Sequence, residues 1–293
     1  MSPAEKTAQI SGQEVKQCCA QLYESDVARL LLGDSFHPGG LRLTERLGQL
    51  LQLTPQSRVL DVASGRGVSA IFLGERFGCE VVGVDYSGQN VQQAGADAAA
   101  KNLSHRVSFY EADAESLPFP DGSFDAVVCE CAFCTFPEKL LAAREFARVL
   151  GNGGRLGLSD LTRGAALPEE LNGLLAWIAC IADAQPLKAY INCFCAAGFS
   201  NCRTELHDQA LLEMVRQVQA KLLGAEIMAG LKKIELPGLD FTSARQMAKA
   251  ALNAIQQGQL GYAIIVAEKA DCGDADKPAK RAQITVAHSA SCG

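Results

Sequence analysis

The chain has 293 residues, of which 48% are hydrophobic and 20% charged, and its formal net charge is −6. A chain of this length and composition can bury a sizeable core without disulfides or structural metals. The negative charge and the lack of a Lys/Arg-rich block argue against nucleic acid as a partner. The amino terminus lacks a signal-peptide pattern, and no apolar run approaches the roughly 18 residues of a membrane span. We therefore expect a cytoplasmic protein with no membrane partner.

The sequence contains 12 cysteines, an unusually large number for such a chain. In a reducing compartment, cysteines are more often reduced, catalytic or metal-binding than joined in a disulfide framework. Their positions in the chain therefore matter more than their number.

Apolar, β-rich segments alternate with helical patterns through the first half of the chain. The predicted strands are 57–64, 79–87, 106–113, 124–131 and 153–161. The predicted helices between them are 68–77, 88–101 and 137–150. Strands separated by crossover helices form parallel sheets that are covered on both faces. The pattern predicts an α/β fold with a doubly wound, mostly parallel sheet.

The second half of the chain is predicted to be mostly helical. The expected elements are a helical stretch at 168–197, a strand at 201–208, helices near 209–233 and 242–257, and a last strand at 261–269. The segment between the last two strands is too long for a hairpin, so we interpret it as an appended helical lid or subdomain. The predicted layout is a mobile amino terminus (1–12), a helical cap (13–54), a core domain (55–204), an insertion with the last strand (205–270) and a mobile tail (271–293).

A glycine turn follows the first predicted strand, in the segment Asp61-Val-Ala-Ser-Gly65-Arg-Gly67. Its DxxxGxG spacing differs from the GxGxxG of dinucleotide-binding folds and disfavours a nicotinamide cofactor. Asp85 ends the second strand, where a carboxylate can accept hydrogen bonds from two ribose hydroxyls. Asp113 follows the third strand, where it can accept one from an adenine amino group.

Together with the later segments LPFPDGSFDAVV (117–128) and REFARVLGNGGRL (144–156), these elements resemble the class I S-adenosylmethionine-dependent methyltransferases. The resemblance covers roughly residues 55–160. It implies a Rossmann-like methyltransferase fold with S-adenosylmethionine as cofactor. The donor-binding residues implied by the resemblance are Asp61, Gly65, Gly67, Asp85, Tyr86, Asp113, Ala114 and Glu130.

The segment CECAFCTFPEK (129–139) places three thiols at the end of the fourth predicted strand. Ligands of open parallel sheets bind beyond the carboxyl ends of the strands, so this segment is expected beside the methyl donor. If the segment is extended, Cys129 and Cys131 share one face, because side chains alternate along a strand. We expect Cys129 to pack in the core and Cys131 to emerge at the strand tip.

Residues 129–139, with the later segments GGRLGLSDL, LPEEL and WIACIADAQPLKAYINCFCAAGF, resemble the arsenite methyltransferase family. The resemblance implies that Cys131 and Cys180 are the catalytic thiolates that hold trivalent arsenic, a soft centre for which thiolates are suitable ligands. The cysteine that family members carry after the glycine turn is missing here, so Cys18, Cys19 or Cys134 is the candidate third ligand. The implied reaction is methylation of arsenite or methylarsenite, a small inorganic or organometalloid substrate, supported by a thiol reductant.

Three alternatives remain open from the sequence. The first is methylation of a small organic acceptor at oxygen, nitrogen or carbon, with His37 or His207 as a candidate base and Tyr23 near the donor. The second is a metalloid-binding module without catalysis. The third is a structural zinc site, which we disfavour because Cys193 and Cys195 lie in a helical pattern and would not face together.

Overall fold

The computed structural model describes residues 12–14, 16–17, 30–33, 35–168, 171, 181, 183–231 and 240–270. The tail predicted to be mobile at 271–293 lies outside the described residues, as does the predicted mobile amino terminus apart from Gly12. None of the helices formed by the described residues is long and apolar enough to cross a membrane.

A seven-stranded sheet with the order β3-β2-β1-β4-β5-β7-β6 forms the centre of the molecule. Its strands are β1 (Arg58–Val62), β2 (Glu80–Asp85), β3 (Val107–Glu111), β4 (Phe124–Glu130), β5 (Leu150–Arg163), β6 (Phe199–Leu206) and β7 (Leu260–Lys269). Neighbouring strands among β1–β5 are parallel, and β7 runs antiparallel to both β5 and β6. The predicted doubly wound, mostly parallel sheet is confirmed.

Helices connect most of the strands. They are α1 (Leu41–Leu50), α2 (Val68–Phe77), α3 (Gly88–Ala100), α4 (Lys139–Val149), α5 (Leu187–Ala196), α6 (Asp208–Gly230) and α7 (Phe241–Gln256). The predicted helical stretch 168–197 is helical mainly over α5 in its described part, because Gln185 instead forms a bridge with Thr162 of β5. The other predicted helices are confirmed within a few residues at their ends.

The strand order reverses between β1 and β4, which fixes the position of the binding crevice. β1 continues through β2 to β3 on one side, and β4 continues through β5 on the other. Crossover helices leave the sheet in opposite directions at such a point, and a crevice opens beyond the carboxyl ends of the two strands. The residues that follow Val62 and Glu130 therefore line the same opening.

A cluster of aromatic rings anchors the segment after β4. The ring centroid of Phe133 lies 5.1 Å from that of Phe194 and 6.0 Å from those of Phe146 and Tyr190. All four side chains are fully buried. Contacts of this kind are worth more than their buried area alone, so the short 3₁₀ turn Phe133–Thr135 is held firmly against α4 and α5.

The helical insertion predicted between the last two strands is a pair of packed helices. Leu222 of α6 packs with Ala244 and Ala248 of α7 in a small cluster that is separate from the main core. Nearer the sheet, Leu211 and Ala254 of the same helices belong to the main core. The pair is therefore anchored at the sheet and extends away from it.

We predict that Gly67→Ala destabilises the protein more than Gly65→Ala. Both glycines have positive φ, but a Cβ at Gly67 lies 2.5 Å from Phe109, whereas one at Gly65 meets no atom within 4 Å. A left-handed alanine costs roughly 1–2 kcal/mol and overpacking roughly 1–3 kcal/mol. We expect Gly67→Ala to lower the free energy of unfolding by about 2–4 kcal/mol and Gly65→Ala by about 1 kcal/mol. Equal losses in urea unfolding contradict this prediction.

Candidate functional site

The turn after β1 exposes bare backbone to the crevice. Ala63, Gly65 and Gly67 all have positive φ, and the Gly67 N–H donates to the Ser64 carbonyl at 2.9 Å. A Cβ on Gly65 faces open space, and Gly65 lines the cavity at this edge. Gly67, which directly precedes α2, lines neither cavity. It lies instead against the ring of Phe109 on β3. Gly65 is thus the glycine whose backbone is open to the cavity, and Gly67 is the one that shapes the turn.

Asp85 at the tip of β2 is tied to this turn. Its Oδ2 accepts a hydrogen bond from Gly65 N at 2.8 Å, and its Oδ1 accepts from Ser87 N at 2.9 Å and from Asn90 Nδ2 at 3.4 Å. Ser87 also caps α3 by accepting from Asn90 N at 3.0 Å. The carboxylate is therefore held in place on both oxygens, and it still lines the cavity.

Asp61 is a buried carboxylate that faces the same cavity. Its Oδ2 has no hydrogen-bond partner in the part of the chain that the structure describes. Burial raises the pKa of the Asp61 carboxyl well above its ordinary value, and the negative charges of Glu130 and Asp85 raise it further. A hydrogen bond from the backbone N–H of Ala70 lowers the pKa of the same carboxyl. A positive charge in the cavity would favour the ionised form of Asp61 and so act against the effect of burial.

Two neighbouring cavities run along the carboxyl ends of the strands. The first is lined by Lys16, Ser35, Phe36, His37, Asp61, Ala63, Ser64, Gly65, Ser69, Asp85, Tyr86, Asn90, Glu130, Cys131, Ala132, Thr135 and Phe136. The second is lined by Lys16, Val62, Ala63, Val84, Asp85, Tyr86, Ala112, Asp113, Ala114, Glu115 and Phe136. Several residues line both, so the two cavities form one elongated site that crosses the tips of β1, β2, β3 and β4.

This site suits the cationic donor implied by the sequence. S-adenosylmethionine carries a sulfonium and an ammonium group, and the cavity offers the carboxylates of Asp61, Asp85 and Glu130. The unpartnered Asp61 oxygen and the open backbone of Gly65 leave acceptors and space for a bound molecule. The residues present therefore fit the cofactor.

Lys16 is a site residue that the sequence did not predict. Its Nζ donates to Asp113 Oδ1 at 3.0 Å and Oδ2 at 2.7 Å, and also to Glu115 Oε2 at 2.5 Å. Lys16 lines both cavities, and it lies at the end of the site where Asp113 and Ala114 are found. Nothing in the local sequence around Lys16 indicates this pairing, because its partners are 97 and 99 residues away.

A buried polar cluster surrounds Glu130 at the tip of β4. Glu130 Oε2 accepts hydrogen bonds from Thr44 Oγ1 at 2.9 Å and from Ser69 Oγ at 2.7 Å. His37 Nε2 lies 3.6 Å from the same oxygen. The sequence indicated Glu130 as a donor ligand and His37 as a candidate base, but it did not place them together. His207, the other candidate base, precedes α6 and lines neither cavity.

Cys131 lies at the cavity, but not in the geometry expected from the sequence. β4 ends at Glu130, and Cys131 has a φ of 54°. The condition under which Cys129 and Cys131 would share one face, an extended backbone through residue 131, is therefore not met, although Cys131 does follow the strand tip as expected. The Cys131 N–H donates to the Ser159 carbonyl at 2.6 Å, and its half-buried side chain lines the first cavity.

The other two thiols of the segment are inside the core. Cys129 is fully buried, as expected, and burial raises the pKa of its thiol well above the ordinary value, with Asp160 adding to the effect. Cys134 is also fully buried, and its backbone N–H donates to Asp160 Oδ2 at 2.9 Å. Neither Cys129 nor Cys134 lines either cavity.

The remaining predicted site residues cannot be placed relative to the cavity. Cys18, Cys19, Cys180 and Tyr23 lie outside the described residues. Within residues that are described, no group of three or more His, Cys, Asp or Glu side chains could hold a metal ion. Two further cysteines lie in α5, where Cys193 is half-buried and Cys195 is exposed.

Comparison with known proteins identifies the domain. Residues 60–158 match the methyltransferase domain family. The chain is 29% identical over 240 residues to methyltransferase GfsG of Streptomyces halstedii, covering 80% of this chain and 82% of that protein. It is 39% identical over 119 residues to 27-O-demethylrifamycin SV methyltransferase of Amycolatopsis mediterranei, covering 41% of this chain and 44% of that one.

A solved structure shares the fold over most of the chain. It is phosphoethanolamine N-methyltransferase 2 of Haemonchus contortus, in complex with phosphomonomethylethanolamine and S-adenosylhomocysteine. The TM-score is 0.73 at 18% identity, over 89% of this chain and 61% of that one. With the fold, the matched domain and a cavity that fits the donor, the chain is an S-adenosylmethionine-dependent methyltransferase.

Proposed function

We propose that this enzyme transfers a methyl group from S-adenosylmethionine to a small organic acceptor at oxygen, nitrogen or carbon. The observation that carries the proposal is the content of the cavity at the end of β4. In the described structure it holds one thiol, Cys131, beside the buried carboxylate of Glu130 and the imidazole of His37. This combination suits proton transfer from an organic group better than the binding of a soft metalloid.

The donor is proposed to lie along the tips of β1, β2 and β3. Asp61, Gly65 and Glu130 would face its methionine part, Asp85 and Tyr86 its ribose, and Asp113 and Ala114 its adenine. When bound, it supplies an electrophilic methyl group. The chain's own residues orient the donor and the acceptor and exclude water, which can provide much of the rate acceleration.

Two of the relatives are named for organic acceptors. One is named for an O-demethylrifamycin, and the Haemonchus structure holds phosphomonomethylethanolamine, each of which is an organic compound. These names support an organic acceptor for the present chain, although the sequence alone favoured arsenite or methylarsenite.

Transfer to a thiol-bound metalloid is the second candidate. It is favoured by Cys131, which lines the donor cavity, and it would require Cys180, a third thiolate and a thiol reductant. The burial of Cys129 and Cys134 counts against it, because these thiols do not reach the cavity. A zinc site of Cys131, Cys134, Cys193 and Cys195 is not supported either, since Cys134 is buried while Cys195 is exposed.

We predict that Asp85→Asn weakens binding of the donor and of S-adenosylhomocysteine by about 10- to 100-fold, since a hydrogen bond to a charged group contributes roughly 1.5–3 kcal/mol. Isothermal titration calorimetry measures the two dissociation constants. The matched control is Asp97→Asn, because Asp97 is a half-buried residue of α3 that lines neither cavity and pairs with Gln93. Unchanged affinity in Asp85→Asn refutes the proposed ribose contact.

We predict that the purified enzyme transfers the labelled methyl group of S-adenosylmethionine to an organic acceptor and not to arsenite. The screen contains phenols, enols, amines and carbon acids, with arsenite and methylarsenite plus a thiol reductant in parallel. Products are identified by mass spectrometry and arsenic speciation. Methylated arsenic as the only product overturns the organic assignment in favour of the metalloid.

We expect Cys131→Ser to separate these two chemistries. Serine is close to cysteine in shape, so methylation of an organic acceptor should stay within about threefold of the wild-type rate. A metalloid acceptor needs the soft thiolate and should lose its turnover completely. The measurement is the initial rate at saturating donor for each acceptor. Complete loss of methylation with an organic acceptor contradicts this expectation.

A further inference from the structure

A buried acid and base pair lines the cavity beside the proposed donor site. His37 Nε2 lies 3.6 Å from Glu130 Oε2, and the two side chains are only 3% and 4% exposed. His37 precedes α1 and Glu130 ends β4, so their meeting depends on how α1 packs on the sheet. Burying two titratable groups together costs free energy unless each has hydrogen-bond partners. Both residues have such partners here, and the partners determine where the protons lie.

The nearby hydroxyl protons are directed at the carboxylate. Thr44 Oγ1 donates to Glu130 Oε2 at 2.9 Å and Ser69 Oγ donates to it at 2.7 Å. The same hydroxyl oxygens lie farther from His37 Nε2, at 3.4 Å and 3.5 Å. A hydroxyl has one proton, and the shorter contact with an anionic acceptor is the stronger one. Both oxygens therefore remain able to accept a hydrogen bond from Nε2.

The other ring nitrogen determines which tautomer His37 adopts. His37 Nδ1 lies 3.3 Å from the Pro38 carbonyl oxygen, which can only accept a hydrogen bond. In the neutral ring Nδ1 therefore carries the proton, and Nε2 carries the lone pair. A proton that arrives at Nε2 meets the Thr44 and Ser69 oxygens and the Glu130 carboxylate, all within 3.6 Å. This arrangement is suited to a general base.

Further hydroxyl groups, on β5 and β7, fix the carboxylate at its other oxygen. Ser159 Oγ donates to Glu130 Oε1 at 3.4 Å, and Tyr262 Oη donates to Ser159 Oγ at 2.9 Å. Ser159 and Tyr262 are completely buried, on β5 and β7 respectively. Glu130 is thus held on both oxygens, so it can keep its place while the charge on His37 changes.

We propose that His37 is the general base of the methyl transfer, that Glu130 positions and stabilises it, and that the acceptor group is a hydroxyl of a phenol or an enol. This inference rests on the proposed function. A hydroxyl has to lose its proton to attack at neutral pH, whereas a free amine or a thiol-bound metalloid attacks with a lone pair that it already has. The acceptor oxygen forms a bond to the methyl carbon, the donor sulfur keeps the electron pair of the broken C–S bond, and the hydroxyl proton moves to His37 Nε2.

The test compares His37→Gln with wild type, using the hydroxyl acceptor that wild type methylates best in the screen. We expect kcat to fall by about 10²- to 10⁴-fold, the usual contribution of a general base. The dissociation constant of S-adenosylhomocysteine should stay within about threefold, since His37 has no proposed donor contact. His105→Gln is the matched control, because it makes the same change at an exposed histidine, and it should keep the wild-type rate.

Glu130→Gln tests the positioning role. We expect it to lower kcat as well, and the double variant should lose no more than the worse single variant, because the two residues act as a unit. Independent, additive losses contradict the pairing. If His37→Gln fails to bind S-adenosylhomocysteine and is therefore misfolded, Glu130→Gln and the spectroscopic test decide the proposal.

A spectroscopic readout separates a base from a merely structural histidine. The same acceptor is bound to the complex with S-adenosylhomocysteine, in which no methyl can be transferred, and its ionisation is followed by ultraviolet difference absorbance. Wild type should raise the ionised fraction of the acceptor above its value in free solution at the same pH, and His37→Gln and Glu130→Gln should not. Equal ionised fractions in wild type and Glu130→Gln overturn the proposal.

The outcomes distinguish this inference from the function on which it rests. If wild type methylates amines or carbon acids but no hydroxyl, the inference fails and the organic methyltransferase stands. If it methylates a hydroxyl and His37→Gln retains more than about a tenth of the rate, His37 is not the base. If no organic compound in the screen is methylated, the proposed function itself fails.

Discussion

The hydrogen bond from Gly65 N to the Asp85 carboxylate joins the ends of β1 and β2, and the proposed donor site depends on it. Backbone with positive φ at Ala63, Gly65 and Gly67 leaves amide groups that need acceptors, and Asp85 provides one at 2.8 Å. The second carboxylate oxygen is held by the start of α3. Since both oxygens are fixed before a ligand arrives, little ordering remains to be paid on binding.

Negative charge concentrated in a buried space is the second constraint. Asp61, Asp85 and Glu130 surround one cavity, and burial makes the charged form of Asp61 unfavourable. Partial compensation comes from two places: Lys16 pairs with Asp113 and Glu115 at one end, and the hydroxyls of Thr44 and Ser69 donate to Glu130 at the other. A cationic donor between them would complete the balance. In the proposed transfer to a hydroxyl, the positive charge of its sulfonium would pass to His37 with the hydroxyl proton.

The aromatic cluster explains why, of the three thiols in the segment 129–139, Cys131 alone lines the cavity. Phe133 is inserted among Phe146, Tyr190 and Phe194, and this brings Cys134 into the core with it. The chain has to turn sharply between the end of β4 and Phe133, and Cys131 takes the left-handed conformation at that turn. Packing of the rings therefore decides which thiol reaches the cavity.

The sequence by itself determined the sheet and the edge at which the candidate site lies, because hydrophobic periodicity, glycine turns and acidic strand ends are local patterns. Strands β1–β5, the turn at Gly65 and the carboxylates of Asp61, Asp85 and Asp113 all follow from short segments. Tertiary structure alone decided that Cys131 leaves the strand while Cys134 is buried. It also brought His37, Thr44 and Ser69 to Glu130, and Lys16 to Asp113. These contacts join elements far apart in the chain, and their geometry depends on packing that no local pattern encodes.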